Sequence, residues 1–258
     1  MFQHRALIVK FTKREIESRY RGTIFGVFWA FLQPLLMLAI YATVFGAILK
    51  VRWSQDDGGS TEFVFALFIG LIVHGFLSEV LSKAPMLVVS NASYVKKVVF
   101  PIQIFSIVSV LGALFFFLAA LLLWIAAFYL NSSELGLTIL YAPVIFLPLI
   151  ITAIGLSWII SALGVYIRDL SQLMGMLTTA MLFLSPVFYP ISNLPEFLQM
   201  ILYFNPITII ILELRNTMML GLVPNWELVL LSYVASIFYF GLGYLLFSKA
   251  KRGFADVL

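Results

Sequence analysis

The chain has 258 residues, of which 62% are hydrophobic and 11% are charged, and its mean hydropathy is +1.06. Soluble domains carry about 25% charged residues and disordered chains are poor in apolar residues, so this composition excludes both classes. It favours an all-α membrane protein with several spans, and the absence of cysteine excludes disulfides, thiol catalysis and cysteine-ligated metals.

The N-terminal segment, residues 1–23, is basic and precedes the first apolar run. On a helical projection it shows one charged stripe, formed by Lys10, Arg14, Glu17 and Arg21. Such a stripe indicates a helix that lies among lipid headgroups. A plain positively charged flank is an equal alternative, because Glu15 and Arg19 interrupt the apolar face. The apolar run that follows starts too late and is too long for a cleaved signal peptide, so we interpret it as a retained span.

Six apolar runs are long enough to cross a hydrocarbon core of roughly 30 Å, for which about 20 helical residues suffice. They cover residues 24–49, 63–81, 105–130, 139–165, 171–189 and 228–247. Of the 16 Lys and Arg residues, 13 fall on the side of the N-terminus, so the positive-inside rule puts both termini in the cytoplasm. This asymmetry explains the positive net charge as membrane topology, and we expect no nucleic-acid partner.

The second loop, residues 82–100, is long enough for a short helix that lies across the cytoplasmic face. Its functional interpretation is a docking surface for a soluble partner. The alternative is a connecting loop in which Lys96 and Lys97 only set the topology.

Residues 191–225 are strongly apolar, but turn-forming residues cut them into two helical pieces, 196–204 and 207–220. These turn-forming residues are Pro195, Asn205, Pro206, Gly221 and Pro224. Neither piece crosses a membrane alone. Together they predict a hairpin that enters from the outer side and turns back where other protein covers it. An outer loop with two surface helices is the alternative.

The six predicted spans contain two ordinary ionisable residues, His74 and Glu79. Glu79 precedes Lys83 by four residues, which is an ion-pair spacing on a helix. We interpret His74 as an interhelical hydrogen-bonding residue, with a proton relay as the alternative. The chain has no P-loop motif, so energy from ATP would have to come through a separate subunit. We expect no cofactor, no metal site and no enzymatic activity in this chain.

Two predicted spans carry small and hydroxyl residues along one helical face. In the fifth span these indicate either packing or a dimer or pore face, and they are Ser171, Gly175, Thr178, Thr179 and Ser185. In the sixth span we expect close packing within one subunit through Ser232, Ser236, Tyr239 and Gly243. Mid-span aromatic residues, Phe115 to Phe117 and Trp124, suit either a sugar-binding surface or ordinary lipid-facing and core positions.

Several motifs resemble those of one family. The resemblance begins with RYRGTIFGVFW at 19–29 and QPL at 33–35, which are similar to the start of a polysaccharide-export ABC transporter permease, the type-2 ABC membrane subunit. It continues in order over nearly the whole chain, through YIRDL at 166–170, SPVFYP at 185–190, Asn205-Pro206 and the Glu213-x-Arg215 region.

The resemblance implies a homodimer in the bacterial inner membrane that works with two copies of a separate ATPase. The implied cargo is a lipid-linked polysaccharide such as O antigen, capsule or teichoic acid. It also implies a single transmembrane domain over residues 1–258. Its expected parts are an interface helix in 1–23, spans one to five in 24–190, a re-entrant periplasmic hairpin in 191–226, and the sixth span with a cytoplasmic tail in 227–258.

Three sets of candidate residues follow. By position, the coupling helix falls within 88–98, and the residues expected to contact the ATPase are Ser90, Asn91, Tyr94, Lys96 and Lys97. Six helices do not readily enclose a pore for a glycan, so a symmetric dimer is expected. Its first and fifth spans would line the channel through Trp29, Tyr41, Phe45, Thr178, Thr179, Ser185 and Tyr189. The hairpin set is Pro195, Asn205, Pro206, Glu213 and Arg215.

Three other functions remain open from the sequence. The nearest alternative is the same architecture exporting a drug or a hydrophobic lipid. An ion-coupled carrier or channel is disfavoured by the nearly uncharged spans. An integral-membrane transferase would need paired carboxylates, and Glu196, Glu213 and Glu227 are too scattered to form a pair.

Overall fold

All regular structure is helical in the residues that the computed structural model describes, which are 5–51, 59–95, 100–132 and 136–258. The α-helices are α1 (Arg5–Arg19), α2 (Trp29–Tyr41), α3 (Ser60–Lys83), α4 (Ala92–Val95), α5 (Ile104–Ser132), α6 (Ala142–Tyr166), α7 (Leu170–Phe183), α8 (Glu196–Tyr203), α9 (Thr208–Met218), α10 (Trp226–Ala250) and α11 (Phe254–Val257). A π-helix, Ala42–Ile48, continues α2. The predicted all-α class is confirmed.

Five helical stretches are long and apolar enough to cross a membrane: Gly26–Ile48, Ser60–Met86, Ile104–Asn131, Leu137–Tyr166 and Trp226–Val257. They overlap the first, second, third, fourth and sixth predicted spans. Helices α8 and α9 together would make one further span, but they are bent by 98° at the break between them. The protein is therefore a multi-span membrane protein, and the count of six crossings stays a prediction.

The fifth predicted span is the one that differs most from the structure. Helix α7 has 14 residues, so it is about 21 Å long at 1.5 Å per residue and is shorter than the hydrocarbon core. It ends at Phe183, and turns follow up to Pro190. The sequence shows why, because Pro186 has no N–H group and disfavours a helical conformation in the residue before it. Apolar residues continue beyond this end, which is why the run up to Tyr189 resembled one long span.

Helix α3 forms the centre of the core. Within an apolar stretch of 18 residues in its span 72% of the residues are buried, whereas in the corresponding stretch of the span that contains α2 only 6% are buried. Trp124 of α5 is fully buried and donates from Nε1 to the Phe65 carbonyl of α3 (3.0 Å). The Phe117 and Phe146 rings stack with their centres 3.8 Å apart. Trp124 and Phe117 therefore belong to the core, as the second of the two sequence interpretations proposed.

Helices α6 and α10 touch backbone to backbone. A Cβ at Gly155 would overlap the Tyr239 carbonyl, and a Cβ at Gly243 would overlap the Gly155 carbonyl. Ser236 of the same face is fully buried and donates to the Tyr233 carbonyl. The prediction that the small residues of the last span pack within one subunit is confirmed.

The bundle has two chemically different ends. At the basic end, α1 pairs with the C-terminal end of α3 through Glu15 and Lys83, and the ends of α6 and α10 meet through Tyr166 and Ala250. Phe11 of α1 packs on the same apolar cluster as Val165 of α6 and Phe247 of α10. At the opposite end these three helices begin, beside α9. Among the Lys and Arg residues that the structure describes, only Lys50 and Arg215 lie at the opposite end. This separation agrees with the charge asymmetry of the sequence.

Candidate functional site

A chain of four charged side chains joins α1 to the C-terminal end of α3. Arg19 Nη1 lies 2.6 Å from Glu79 Oε1, and Lys83 Nζ lies 3.1 Å from the same oxygen and 2.9 Å from Glu15 Oε1. The predicted Glu79–Lys83 pair is confirmed. The first segment forms the helix α1, and the two residues that interrupt its apolar stripe, Glu15 and Arg19, are the ones that anchor it. The sequence did not predict that Glu15 and Arg19 anchor α1 to α3.

The segment between α3 and α5 is a series of short turns rather than one helix. It consists of 3-10 turns at Ala84–Met86 and Val89–Asn91, followed by the single turn of α4. Ser90 is exposed and donates to the Met86 carbonyl (2.6 Å), while the half-buried Asn91 donates to the Leu87 carbonyl (2.9 Å). These local hydrogen bonds stabilise the turns. Lys96 and Lys97 lie outside the residues that the structure describes.

Residues 84–95 contain most of the predicted coupling helix, and we call them the coupling segment. This segment packs firmly on its neighbours. The Tyr94 ring contacts three phenylalanine rings, those of Phe11, Phe100 and Phe105, at centre distances of 5.9, 4.9 and 5.7 Å. The Pro85 backbone packs so closely on α6 that a Cβ at Gly164 would overlap it. Of the predicted contact residues, Tyr94 therefore faces the bundle and Ser90 faces outward. A push on the outer face would reach α1, α5 and α6 directly.

Helix α2 and its π-helical continuation are weakly packed. Only Ala30 and Leu38 are buried in α2. Three of the predicted channel residues lie along it. Trp29 packs on Phe25, with 5.7 Å between ring centres, and is half-buried, while Tyr41 and Phe45 form a ladder of rings (6.2 Å) that ends on Phe63 of α3. π-Helical turns are concentrated at functional sites, where they re-aim side chains.

Helix α7 has two faces with different environments. Thr178 is buried, and its carbonyl lies 2.9 Å from His74 Nε2 of α3, so His74 makes the predicted interhelical hydrogen bond. On the other face, Gly175 and Thr179 line an open groove of about 570 Å³. The structure thus divides the predicted stripe. Thr179 is exposed, while Thr178 and the fully buried Ser185 face the interior of the subunit.

The C-terminal end of α7 and the turn that follows it are capped by side chains. Four side chains donate to carbonyls in this region: Ser185 to Met181, Tyr189 to Phe183 (2.9 Å), Asn205 to Leu184 (3.0 Å) and Arg215 to Pro186 and Val187. A helix that ends at membrane depth needs such donors, because lipid offers none. All four donors, Ser185, Tyr189, Asn205 and Arg215, are predicted site residues, and they meet at one structural feature, the terminus of α7 and the turn after it.

Helix α9 is anchored in two directions by its charged residues. The buried Arg215 also donates from Nε to the Ala66 carbonyl of α3 (2.9 Å). It fits only because Gly70 has no side chain, since a Cβ there would lie 2.9 Å from Arg215 Nη2. Glu213, also buried, accepts from the Asn225 backbone N–H (2.8 Å) at the start of α10.

Asn225 is the functional residue that sequence reasoning missed in this region. Its side chain accepts from the N–H groups of Glu227 and Leu228 (3.0 and 3.4 Å), so it is the N-cap of α10. The sequence contains the signal for this N-cap, because an Asn directly before an apolar run is typical of a helix start.

The break between α8 and α9 contains two of the predicted hairpin residues. Asn205 Oδ1 accepts from the Ile207 N–H (3.3 Å), beside the half-buried Pro206. Pro195 is exposed at the start of α8.

Comparisons with known proteins agree on one family. The sequence profile described as "ABC-2 type transporter" matches residues 7–219 of this chain. The O-antigen export system permease protein RfbA of Klebsiella pneumoniae is 26% identical over 253 residues, which are 98% of this chain and 95% of that protein. The O-antigen export system permease protein RfbA of Myxococcus xanthus is 26% identical over 196 residues, which are 76% of this chain and 73% of that protein.

Proposed function

This chain belongs to the ABC-2 type transporter family, and from that premise we propose that it is the membrane subunit of an ATP-driven exporter of a lipid-linked polysaccharide, with O antigen as the cargo. The similarity predicted from its motifs is confirmed, and it is a transport permease with several membrane spans. One observation carries the proposed cargo. The similarity to permeases named for O-antigen export extends over 98% of this chain, so it is not limited to one shared motif.

A homodimer is the proposed working form. The weak packing of α2 and the open groove on α7 leave two surfaces that one subunit does not use. In a two-fold symmetric dimer each surface meets its own copy, which makes such an interface self-complementary. The channel would then lie between the subunits, with Trp29, Tyr41 and Thr179 on its wall.

The energy would come from a separate ATPase bound at the basic end. The coupling segment presents Ser90 outward, and Lys96 and Lys97 follow it in the sequence. Closure of two ATPase subunits on ATP binding would press on this segment. The contacts of Pro85 with α6 and of Tyr94 with Phe11 and Phe105 would carry the displacement into the membrane.

We place the basic end in the cytoplasm of the bacterial inner membrane. The positive-inside rule supports this orientation, because eleven described residues at this end are Lys or Arg. They lie in or just after α1, at the end of α3, in the α6–α7 turn and near the C-terminus: Arg5, Lys10, Lys13, Arg14, Arg19, Arg21, Lys83, Arg168, Lys249, Lys251 and Arg252. In this orientation the pair α8 and α9 enters from the periplasmic side.

The proposal is tested by deletion of the gene in its native host. We expect loss of surface polysaccharide and accumulation of the lipid-linked polymer inside the cell, with recovery when the gene is restored. Purified protein that moves its cargo in vesicles on a proton gradient, without ATP or an ATPase, would refute it. Normal surface polysaccharide together with lost resistance to a drug would instead support the alternative exporter.

The channel assignment has a separate test with a matched control. Thr179→Trp places a large ring in the α7 groove, whereas Val234→Trp places the same ring on the exposed face of α10. We expect the first variant to stop export while ATP hydrolysis by the complex continues, and the second to export normally. Equal export by both variants would show that the groove is not part of the pathway.

A further inference from the structure

A second cavity lies within one subunit, away from the α7 groove. Helices α2, α3 and α5 border a cleft of about 590 Å³. Most of its wall is apolar or aromatic, as represented by Met37, Phe68, Leu71, Ile72, Phe76 and Phe117. The few residues that α2 buries explain why the cleft exists, since α2 is held beside α3 with little side-chain packing between them.

The end of the cleft near the basic end is charged. Arg19, Lys83 and Glu79 contribute to its wall, whereas Glu15, the other partner of Lys83, does not. The wall of the cleft therefore carries two cations and one carboxylate, and Glu15 balances Lys83 from outside the wall. Among the contacts described for Arg19, one nitrogen, Nη1, is engaged by Glu79, and the guanidinium lies 4.2 Å from the centre of the Phe116 ring.

The apolar wall and the charged end of the cleft together are complementary to an amphiphilic ligand. Apolar cavities bind apolar molecules rather than water. Arginine and lysine side chains at the level of the headgroups bind lipid phosphates through charge-assisted hydrogen bonds. A molecule that satisfies both walls has a hydrocarbon chain joined to an anionic head, and the surrounding bilayer supplies such molecules in excess.

We propose that this cleft binds an anionic phospholipid of the surrounding membrane, with one acyl chain against the aromatic wall and the phosphate at Arg19 and Lys83. The bound lipid completes the packing between α2 and α3. It also places its headgroup on the ionic chain that joins α1 to α3. The inference concerns a resident lipid and does not depend on which polymer the protein exports.

A substitution at Gly75 can fill the cleft. Gly75 lines it, and a Cβ added there meets no atom within 4 Å, so Gly75→Leu projects into open space without a clash. Gly241 of α10 is also free of neighbours within 4 Å and lies outside the cleft, which makes Gly241→Leu the matched control. Both changes replace a helical glycine with a good helix former.

The test measures lipids that remain on the purified full-length protein by native mass spectrometry, after exposure to phosphatidylglycerol or phosphatidylcholine. We expect the wild-type protein and Gly241→Leu to retain phosphatidylglycerol over phosphatidylcholine by roughly tenfold, a preference that corresponds to about 1.4 kcal/mol. Gly75→Leu should lose one bound lipid per chain. Arg19→Gln with Lys83→Gln should bind both lipids equally.

Three results would overturn the proposal. The first is equal retention of phosphatidylglycerol by Gly75→Leu and the wild-type protein. The second is displacement of phosphatidylglycerol by stoichiometric polyprenyl phosphate, which would assign the cleft to a transported carrier. The third is conversion of a dimer to a monomer by Gly75→Leu, which would show that a second copy of the chain covers the cleft.

Discussion

Replacing Arg215 with methionine is expected to loosen the end of α7 and to lower the stability of the whole bundle. The guanidinium donates to three carbonyls, those of Ala66, Pro186 and Val187. Ala66 lies within α3 and keeps the hydrogen bond of its own helix, so two turn carbonyls lose a donor. At about 1–3 kcal/mol for each unsatisfied buried group, the free energy of unfolding should fall by about 2–6 kcal/mol.

Two further variants calibrate this expectation. Arg215→Lys keeps the charge but presents a compact ammonium group that does not span the same carbonyls, so an intermediate loss is expected. Arg252→Met removes a charge at an exposed position and should leave stability unchanged within about 0.5 kcal/mol. Unfolding in detergent, followed by circular dichroism, measures all three.

A local measurement separates loosening of α7 from general unfolding. The chain has no cysteine, so Val187→Cys introduces a unique thiol at a fully buried position. We expect a membrane-permeant maleimide to leave this thiol unmodified when Arg215 is present and to label it in the Arg215→Met background. Unchanged stability together with unchanged labelling would refute the assignment of Arg215 as the donor that closes this turn.

Three more predictions concern the coupling path and the start of α10. Asn225→Ala should cost about 1 kcal/mol and speed hydrogen exchange in the first turn of α10, because the N-cap is lost; unchanged exchange would contradict it. Gly164→Ala should displace Pro85 and lower the amount of polymer exported per ATP hydrolysed, with ATPase binding retained; an unchanged ratio would show that this contact does not transmit force. Lys96→Glu with Lys97→Glu should reduce co-purification of the ATPase, and undiminished co-purification would remove these lysines from the docking surface.

The sequence was sufficient for the class of the fold because that class depends on composition and on long apolar runs. The composition and the apolar runs are known without any knowledge of how the helices pack. The small-residue face of the last span was also predictable, because close helix contact in lipid needs residues such as Gly243 and Ser236. The Glu79–Lys83 pair followed from helical spacing alone.

Features that depend on contacts distant in sequence could not be predicted in the same way. Hydropathy runs on past the end of α7, where Pro186 is the local signal for a break. The donors from Asn205 and Arg215 that hold this end come from residues distant in sequence, so they could not be predicted. The anchoring of α1 by Glu15 and Arg19 was equally hidden, because their partners lie 68 and 60 residues away. The sequence contains each of these residues, but the role of each depends on partners that only the folded structure brings close.

The backbones of α6 and α10 touch at Gly155 and Gly243, so we expect these two helices to move together as one rigid pair, which acts as a lever. Each helix has 25 residues, so the lever is about 37 Å long, and a tilt of about 5° displaces its far end by about 3 Å. One end of the lever rests on Pro85 through Gly164, and the other meets α9 where Asn225 binds Glu213. If the proposed ATPase binds the basic end, a small displacement there would shift the far end of the pair, while the helices proposed to border the cargo would stay free to separate.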